Sequence, residues 1–156
     1  GRGTQSWLDP THPSALEPGK RPRLTPNALL AFKNGHPWMP FGTPGGDAQV
    51  QTTLQFFLNQ AVFGMTPQQA AEAPRFQSKS FPDSFWPHAY HPGRLDLEGR
   101  IDDETAEELS RRGHLVNRID DWARITGDVC GITRDHEDGT VTAASDLRAD
   151  AYSMAR

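Results

Sequence analysis

The stretch "GTPGGDAQVQTTLQFFLNQ" (residues 42–60) sets two adjacent glycines, Gly45 and Gly46, against the start of an amphipathic run. Glycines leave backbone N–H groups unscreened by side chains, and a helix start behind them adds partial positive charge. Two such donors suit a carboxylate, or the oxyanion that develops when a carbonyl is attacked. A tight strand-to-helix turn accounts for the same glycines without chemistry, and composition alone leaves both readings open. A phosphate loop is excluded: no Lys-Ser/Thr pair follows, and the spacing is not Gly-x-Gly-x-x-Gly.

Other reactive residue types are less informative. His88 and His91 sit three apart in "PHAYHP", but Pro87 and Pro92 prevent the helix that would aim both rings at a metal. The acidic groups in "IDD" and "DHEDG" lack the alternating donors and distant glutamate of a calcium loop and read as solvated turns. No metal site and no cofactor is therefore expected. The basic segment "GKRPR" (residues 19–23) either holds an anion or merely solubilises. Cys130, the single cysteine, lies in the apolar run "DVCGIT" and is expected to be a buried, inert thiol.

The elements that must position these groups follow from periodicity and punctuation. Residues 1–26 carry five prolines and are expected to be extended and to pack on the rest, with helix disfavoured. "NALLAFK", "NG" and "PWMPFG" read as a hairpin, Asn-Gly being the strongest short turn signal. Pro37 and Pro40 push the second strand toward an edge or an irregular strand. Val50, Leu54, Phe57, Leu58, Ala61 and Val62 form one stripe of a helix over residues 49–63, expected to face a sheet. Thr66, Pro67 and Gln69 are a capping box for a short second helix that stops before Pro74. Strands are expected at "RFQS", "RLDLEG", "HLVNRI", "DVCGITRD" and "TVTAAS". A third helix, "DDETAEELSRRG", has acids in its first turn and arginines in its last.

The chain has 156 residues, enough for one domain or part of a larger one, and 35% hydrophobic content, above a disordered composition. The net charge of −4, with scattered Lys and Arg, argues against nucleic-acid binding. No apolar run approaches the ~20 residues that cross a bilayer, so no membrane span is expected. The N-terminus has no signal-peptide shape and no initiator Met, which suggests a piece of a longer chain.

From Lys20 onward, "KRPRLTPNALLAFKNGHPWMPFGTPGGDAQVQTTLQFFLNQAVFGMTPQQAAEAPRF" resembles the small-subunit region of γ-glutamyltransferases, and "GTVTAASDLRADAYSMAR" resembles their closing hairpin and tail. The resemblance implies an α+β fold, part of the αββα sandwich of N-terminal nucleophile hydrolases, with mainly antiparallel strands. Residues 27–156 would be the C-terminal part of the small subunit. It further implies a self-cleaving precursor whose new N-terminal threonine attacks an amide carbonyl, its own amine serving as base. Gly45 and Gly46 match the family's oxyanion-holding pair. The implied partners are the remainder of the same precursor, including its large subunit, and a small-molecule amide.

The chain departs from the family pattern in three places. Thr4 lies outside a Thr-Thr-His context, so the nucleophile is expected to be absent and the chain inactive alone. The family's serine-rich segment after Lys-Arg-Pro is replaced by "RLTP", which makes Arg23 and Thr25 the candidate carboxylate contacts. Asp47 replaces a common serine after the glycines, and the acidic segment that receives an α-amino group has no counterpart in "GRGTQSWLDP". The pattern is that of a divergent branch acting on other amides or small acyl groups. A non-catalytic binding module on the same half-sandwich is the alternative. As a half-sandwich, the chain is expected to expose apolar surface and self-associate. The compartment, bacterial cytoplasm or periplasm, stays open.

Overall fold

The computed structural model describes residues 2–155. Its larger sheet contains β1 (Leu29–Lys33), β2 (His36–Gly42), β6 (Cys130–Arg134) and β7 (Val141–Ser145), in that order and wholly antiparallel. The smaller sheet orders β3 (Phe76–Ser78), β4 (Arg94–Glu98) and β5 (Leu115–Ile119), with β3–β4 antiparallel and β4–β5 parallel. The parallel pair is bridged by α3 (Asp103–Arg111). Two helices, α1 (Ala48–Ala61) and α2 (Pro67–Glu72), connect the sheets.

The β1–β2 turn has positive φ at Asn34 and Gly35, as an Asn-Gly hairpin requires. α2 carries the full capping box, with Thr66 Oγ1 accepting from Gln69 N–H and Gln69 Oε1 from Thr66 N–H. Of the two expectations for the proline-bearing strand, the edge position is corrected, because β2 lies between β1 and β6, while the irregularity is present as a register shift against β1 between Ala31 and Phe32. Its ladder to β6 involves only Phe41 and Gly42, beyond both prolines, so neither missing N–H is needed there. The segment before β1 is also less extended than expected. Arg2–Gln5 forms a 3₁₀ turn, and Trp7 and Ala15 pair across a loop.

The orientation of α1 is a larger correction. Val50, Leu54 and Val62 of the expected inward stripe are exposed, whereas Ala48, Thr52, Thr53, Phe56 and Gln60 are buried. Phe56 packs on Phe41 and so closely on Gly131 that a Cβ there would lie 2.8 Å from the ring. The polar members of the buried face are all bonded. Thr52 donates to the Thr126 carbonyl and Thr53 to that of Gln49, while Gln60 accepts from Thr133. Such pairing removes most of the cost of burying them, and leaves Val50, Leu54 and Val62 facing outward while Phe57, at the edge of the stripe, packs against Phe41 and Trp38.

Cys130 is corrected as well: it is exposed. The period-2 alternation of β6 buries Gly131 beneath Phe56 and turns Cys130 and Ile132 to the face of the large sheet that α1 and α2 do not cover.

Candidate active site

Thr43 to Asp47 form the connection from β2 to α1. Gly45 has φ +129° and Gly46 φ +56°, conformations that a side chain disfavours. A Cβ on Gly46 would stand 2.9 Å from the Phe85 ring, and one on Gly45 would stand 3.4 Å from Gly127 Cα. The Gly45 and Gly46 carbonyls accept from the Ala48 and Gln49 N–H groups, opening α1. Among the described residues, the N–H groups of Gly45 and Gly46 themselves make no hydrogen bond.

Asp47 follows at the N-cap position but does not cap the helix. Its Oδ2 accepts from Ser84 N–H at 2.6 Å, and its Oδ1 from Arg23 Nη2 at 3.2 Å. It therefore ties the basic segment and the aromatic loop, residues 81–93, to the turn, with both oxygens committed to protein groups. Arg23, Thr25, Gly46 and Asp47 line one cleft of about 540 Å³, together with Val50 and Phe81. Gly45 lies behind this wall, against Gly127. The structure thus brings four of the five sequence-derived residues to one cavity. The guanidinium of Arg23 remains half exposed there despite its ion pair.

The turn is backed by groups to which sequence reading assigned no role. Thr43 Oγ1 donates to the Pro44 carbonyl and accepts from Asp128 N–H. The Gly127 carbonyl accepts from Arg75 Nη1 at 2.8 Å. Arg75 pairs with Asp146, which also binds Arg148, and Arg148 forks onto Glu98. All four side chains are essentially sealed from solvent. Burial draws the Arg75 guanidinium below its ordinary value, with Asp146 opposing. For Arg148, burial acts in the same direction but is outweighed by hydrogen bonding to Glu98 and attraction to Asp146, and its value rises. The available signal for Arg75, Asp146 and Arg148 was their position in the short runs "AAEAPRF" and "TAASDLR". His88 stacks on the Trp7 ring and meets Trp86 edge-on, whereas His91 lines a separate cavity.

The gamma-glutamyltranspeptidase family model matches residues 2–155. The chain belongs to the gamma-glutamyltranspeptidase family. A glutathione hydrolase-like proenzyme of Bacillus subtilis is 34% identical over 153 residues, covering 98% of this chain and 28% of that protein. An oxamate amidohydrolase proenzyme of Klebsiella pneumoniae is 32% identical, with 96% of this chain and 27% of that protein covered. Among solved structures, a cephalosporin acylase of Bacillus halodurans superposes with a TM-score of 0.81 at 33% identity, over 96% of this chain and 26% of that one. The chain thus spans little more than a quarter of the length of these relatives. Its mixed architecture of mainly antiparallel sheets and helices is that of the family's N-terminal nucleophile hydrolase fold.

Proposed function

We propose that these residues are the C-terminal part of a γ-glutamyltransferase-like amidohydrolase or acyltransferase, in which the Gly45 and Gly46 N–H groups hold the oxyanion. The observation that carries this reading is a positive-φ glycine pair at the start of α1, with unbonded N–H groups beside a cleft walled by Arg23 and Thr25. The attacking threonine is supplied by sequence outside these 156 residues, as the quarter-length coverage of the relatives supports. Its hydroxyl oxygen adds to the amide carbonyl, and the negative charge moves to the carbonyl oxygen. The C–N bond then breaks, with the proton passing to the leaving amine. The acyl-enzyme is released to water or to a second amine. On this reading the chain alone is inactive, and its direct partner is the rest of its own precursor.

Arg23 replaces a lost pair of hydroxyls in the family pattern, and its fork suits a carboxylate on the acyl group. A short carboxylated acyl amide is therefore the preferred donor. This accords with a relative named for oxamate, an amide whose carbonyl is bonded directly to a carboxylate. The test is mass spectrometry of purified full-length protein after incubation, followed by a panel of γ-glutamyl anilides and simple amides including oxamate. Self-cleavage that exposes an N-terminal threonine, with turnover of a carboxylated amide, is expected. An N-terminal threonine with no turnover across the panel would instead indicate a non-catalytic binding module.

A further inference from the structure

Part of the segment before β1 is folded into a hook. Trp7 N–H donates to the Ser14 carbonyl and Leu16 N–H to that of Trp7, which closes residues 7–16 into a loop. Within it the Trp7 ring stacks on His12, with centroids 4.0 Å apart and planes inclined by 15°. Ser14 N–H donates to His12 Nδ1 and fixes that ring. Trp7 also stacks on His88 of the aromatic loop, at 4.1 Å and 3°. Two rings so close to one centroid cannot share a face, so Trp7 is sandwiched between the imidazoles.

The N-terminal segment also bonds the aromatic loop directly. Trp86 N–H donates to the Thr4 carbonyl at 2.7 Å. Gln5, itself buried, donates from Nε2 to Ser84 Oγ at 3.3 Å. Residues 84–88 hold the glycine turn as well. Ser84 N–H donates to Asp47 Oδ2, and the Phe85 ring fills the space that a Gly46 side chain would need. One short segment thus joins the hook to the turn, and its backbone is strained. His88 has φ +61°, a left-handed conformation unusual for a bulky side chain. Its Nδ1 lies 2.9 Å from the Asp83 carbonyl and so carries the ring hydrogen, which leaves Nε2 buried with no donor. Such an arrangement persists only where the surroundings over-determine it, and the Trp7 stack is the contact that closes over it.

We propose that Trp7 is a positioning residue: by stacking on His88 it latches the aromatic loop, keeping Phe85 against Gly46 and Ser84 on Asp47. Without the stack the His88 backbone relaxes, the segment lifts from the turn, and the Gly46 peptide loses the ring that limits its rotation. Trp7 does not line the cleft, so it acts through the loop and not on a substrate. That the latch keeps the Gly46 N–H aimed at an oxyanion rests on the acyl-transfer reading above.

Amide hydrogen exchange of the full-length protein, measured without substrate, tests the latch. Trp7→Ala should speed exchange at the bonded Ser84, Trp86 and His88 amides by about tenfold or more, leaving β1 and β2 unchanged. Trp7→Phe, which keeps a flat ring over His88, should stay within about threefold of the parent. Adding Trp7→Ala to His88→Ala should change these amides no further, because the shared contact is already gone. Leu8→Ala, at an exposed neighbour in the hook, should have no effect. On the amide panel, Trp7→Ala should lower kcat about tenfold with KM within about threefold, the split expected when donor aim is lost and binding is not. Unchanged exchange at the three amides, faster exchange throughout both sheets, or an equal response to Leu8→Ala would each overturn the latch. A loosened loop with parental kcat would overturn the positioning role. If the parent itself turns over no amide, the proposed function falls, and the exchange result still decides the latch.

Discussion

Arg75 Nη2 lies 2.5 Å from Asp146 Oδ2, and both side chains are closed to water. The pair joins the residue before β3 to the residue after β7, and through Arg75 Nη1 it holds the Gly127 carbonyl behind the glycine turn. Removing one partner strands the other charge in a low-dielectric site. Arg75→Ala and Asp146→Ala should each cost about 3–5 kcal/mol, well above a surface substitution. Urea unfolding of full-length protein checks this, and Arg75→Lys, which restores charge without the fork, should recover only part of the loss.

Gly46→Ala tests the turn. The added methyl meets a φ of +56° and the Phe85 ring at 2.9 Å, so the peptide must rotate. Strain of the left-handed region costs roughly 1–2 kcal/mol. If the N–H serves as an oxyanion donor, the turnover number should fall by about 10²–10³-fold. A variant as active as the parent, with unfolding shifted only by the strain, would remove the oxyanion role.

Arg23→Gln should act on binding rather than on folding. The Arg23–Asp47 pair is more than half exposed on the arginine side, so its loss should change stability by less than about 1 kcal/mol. For an acyl donor whose carboxylate is held by the guanidinium, KM should rise about 10–100-fold, the equivalent of one hydrogen bond to a charged group. Amide donors lacking a carboxylate should show no such change, and the comparison of the two KM values is the measurement.

Asp102 caps α3, accepting from Thr105 N–H and Thr105 Oγ1. The backbone bond from Thr105, followed by the hydroxyl, holds its carboxyl below the ordinary 3.8. A depressed carboxylate stabilises the folded state above its unfolded value, and that contribution is lost as pH falls through the lowered one. Asp102→Ala should therefore speed amide exchange in the first turn of α3 at neutral pH. Under more acidic conditions, below the depressed value, it should converge with the parent. Equal exchange at neutral pH would show that the cap does not hold the helix.

Local chemistry was legible in the sequence wherever a single turn decides the geometry. Asn34-Gly35, the Thr66 capping box and the Gly45-Gly46 connection all depend on residues within four positions of one another. What escaped sequence reading depends on distant partners. Arg75, Glu98, Asp146 and Arg148 are charged residues from separate segments whose burial makes sense only once they meet. Lys79 and Gln77 likewise become a cavity wall only when β3 pairs with β4. The α1 stripe was read correctly as one face, but its direction could not follow from periodicity. Thr52, Thr53 and Gln60 are polar in type, and only their hydrogen bonds make the opposite face the buried one.

That outward stripe leads to the last prediction. Val50, Leu54, Val62 and Phe63 are exposed along one side of α1 and its end, and Leu30, Phe32 and Ile132 on the uncovered side of the large sheet. Two apolar faces on so small a body exceed what monomeric surfaces ordinarily present. The rest of the precursor is the expected cover, given that these residues span about a quarter of their relatives. Cys130 sits within the open sheet face and reports on it. In the 156-residue chain by itself, the thiol should react quickly with an aromatic disulfide reagent, a surface dye should bind, and light scattering should show self-association. In the full-length protein the thiol should be protected at least about tenfold, since reaction needs an accessible thiolate. A chain that stays monomeric without binding dye, or a Cys130 equally reactive in both forms, would show that this sheet face is an outer surface of the whole protein.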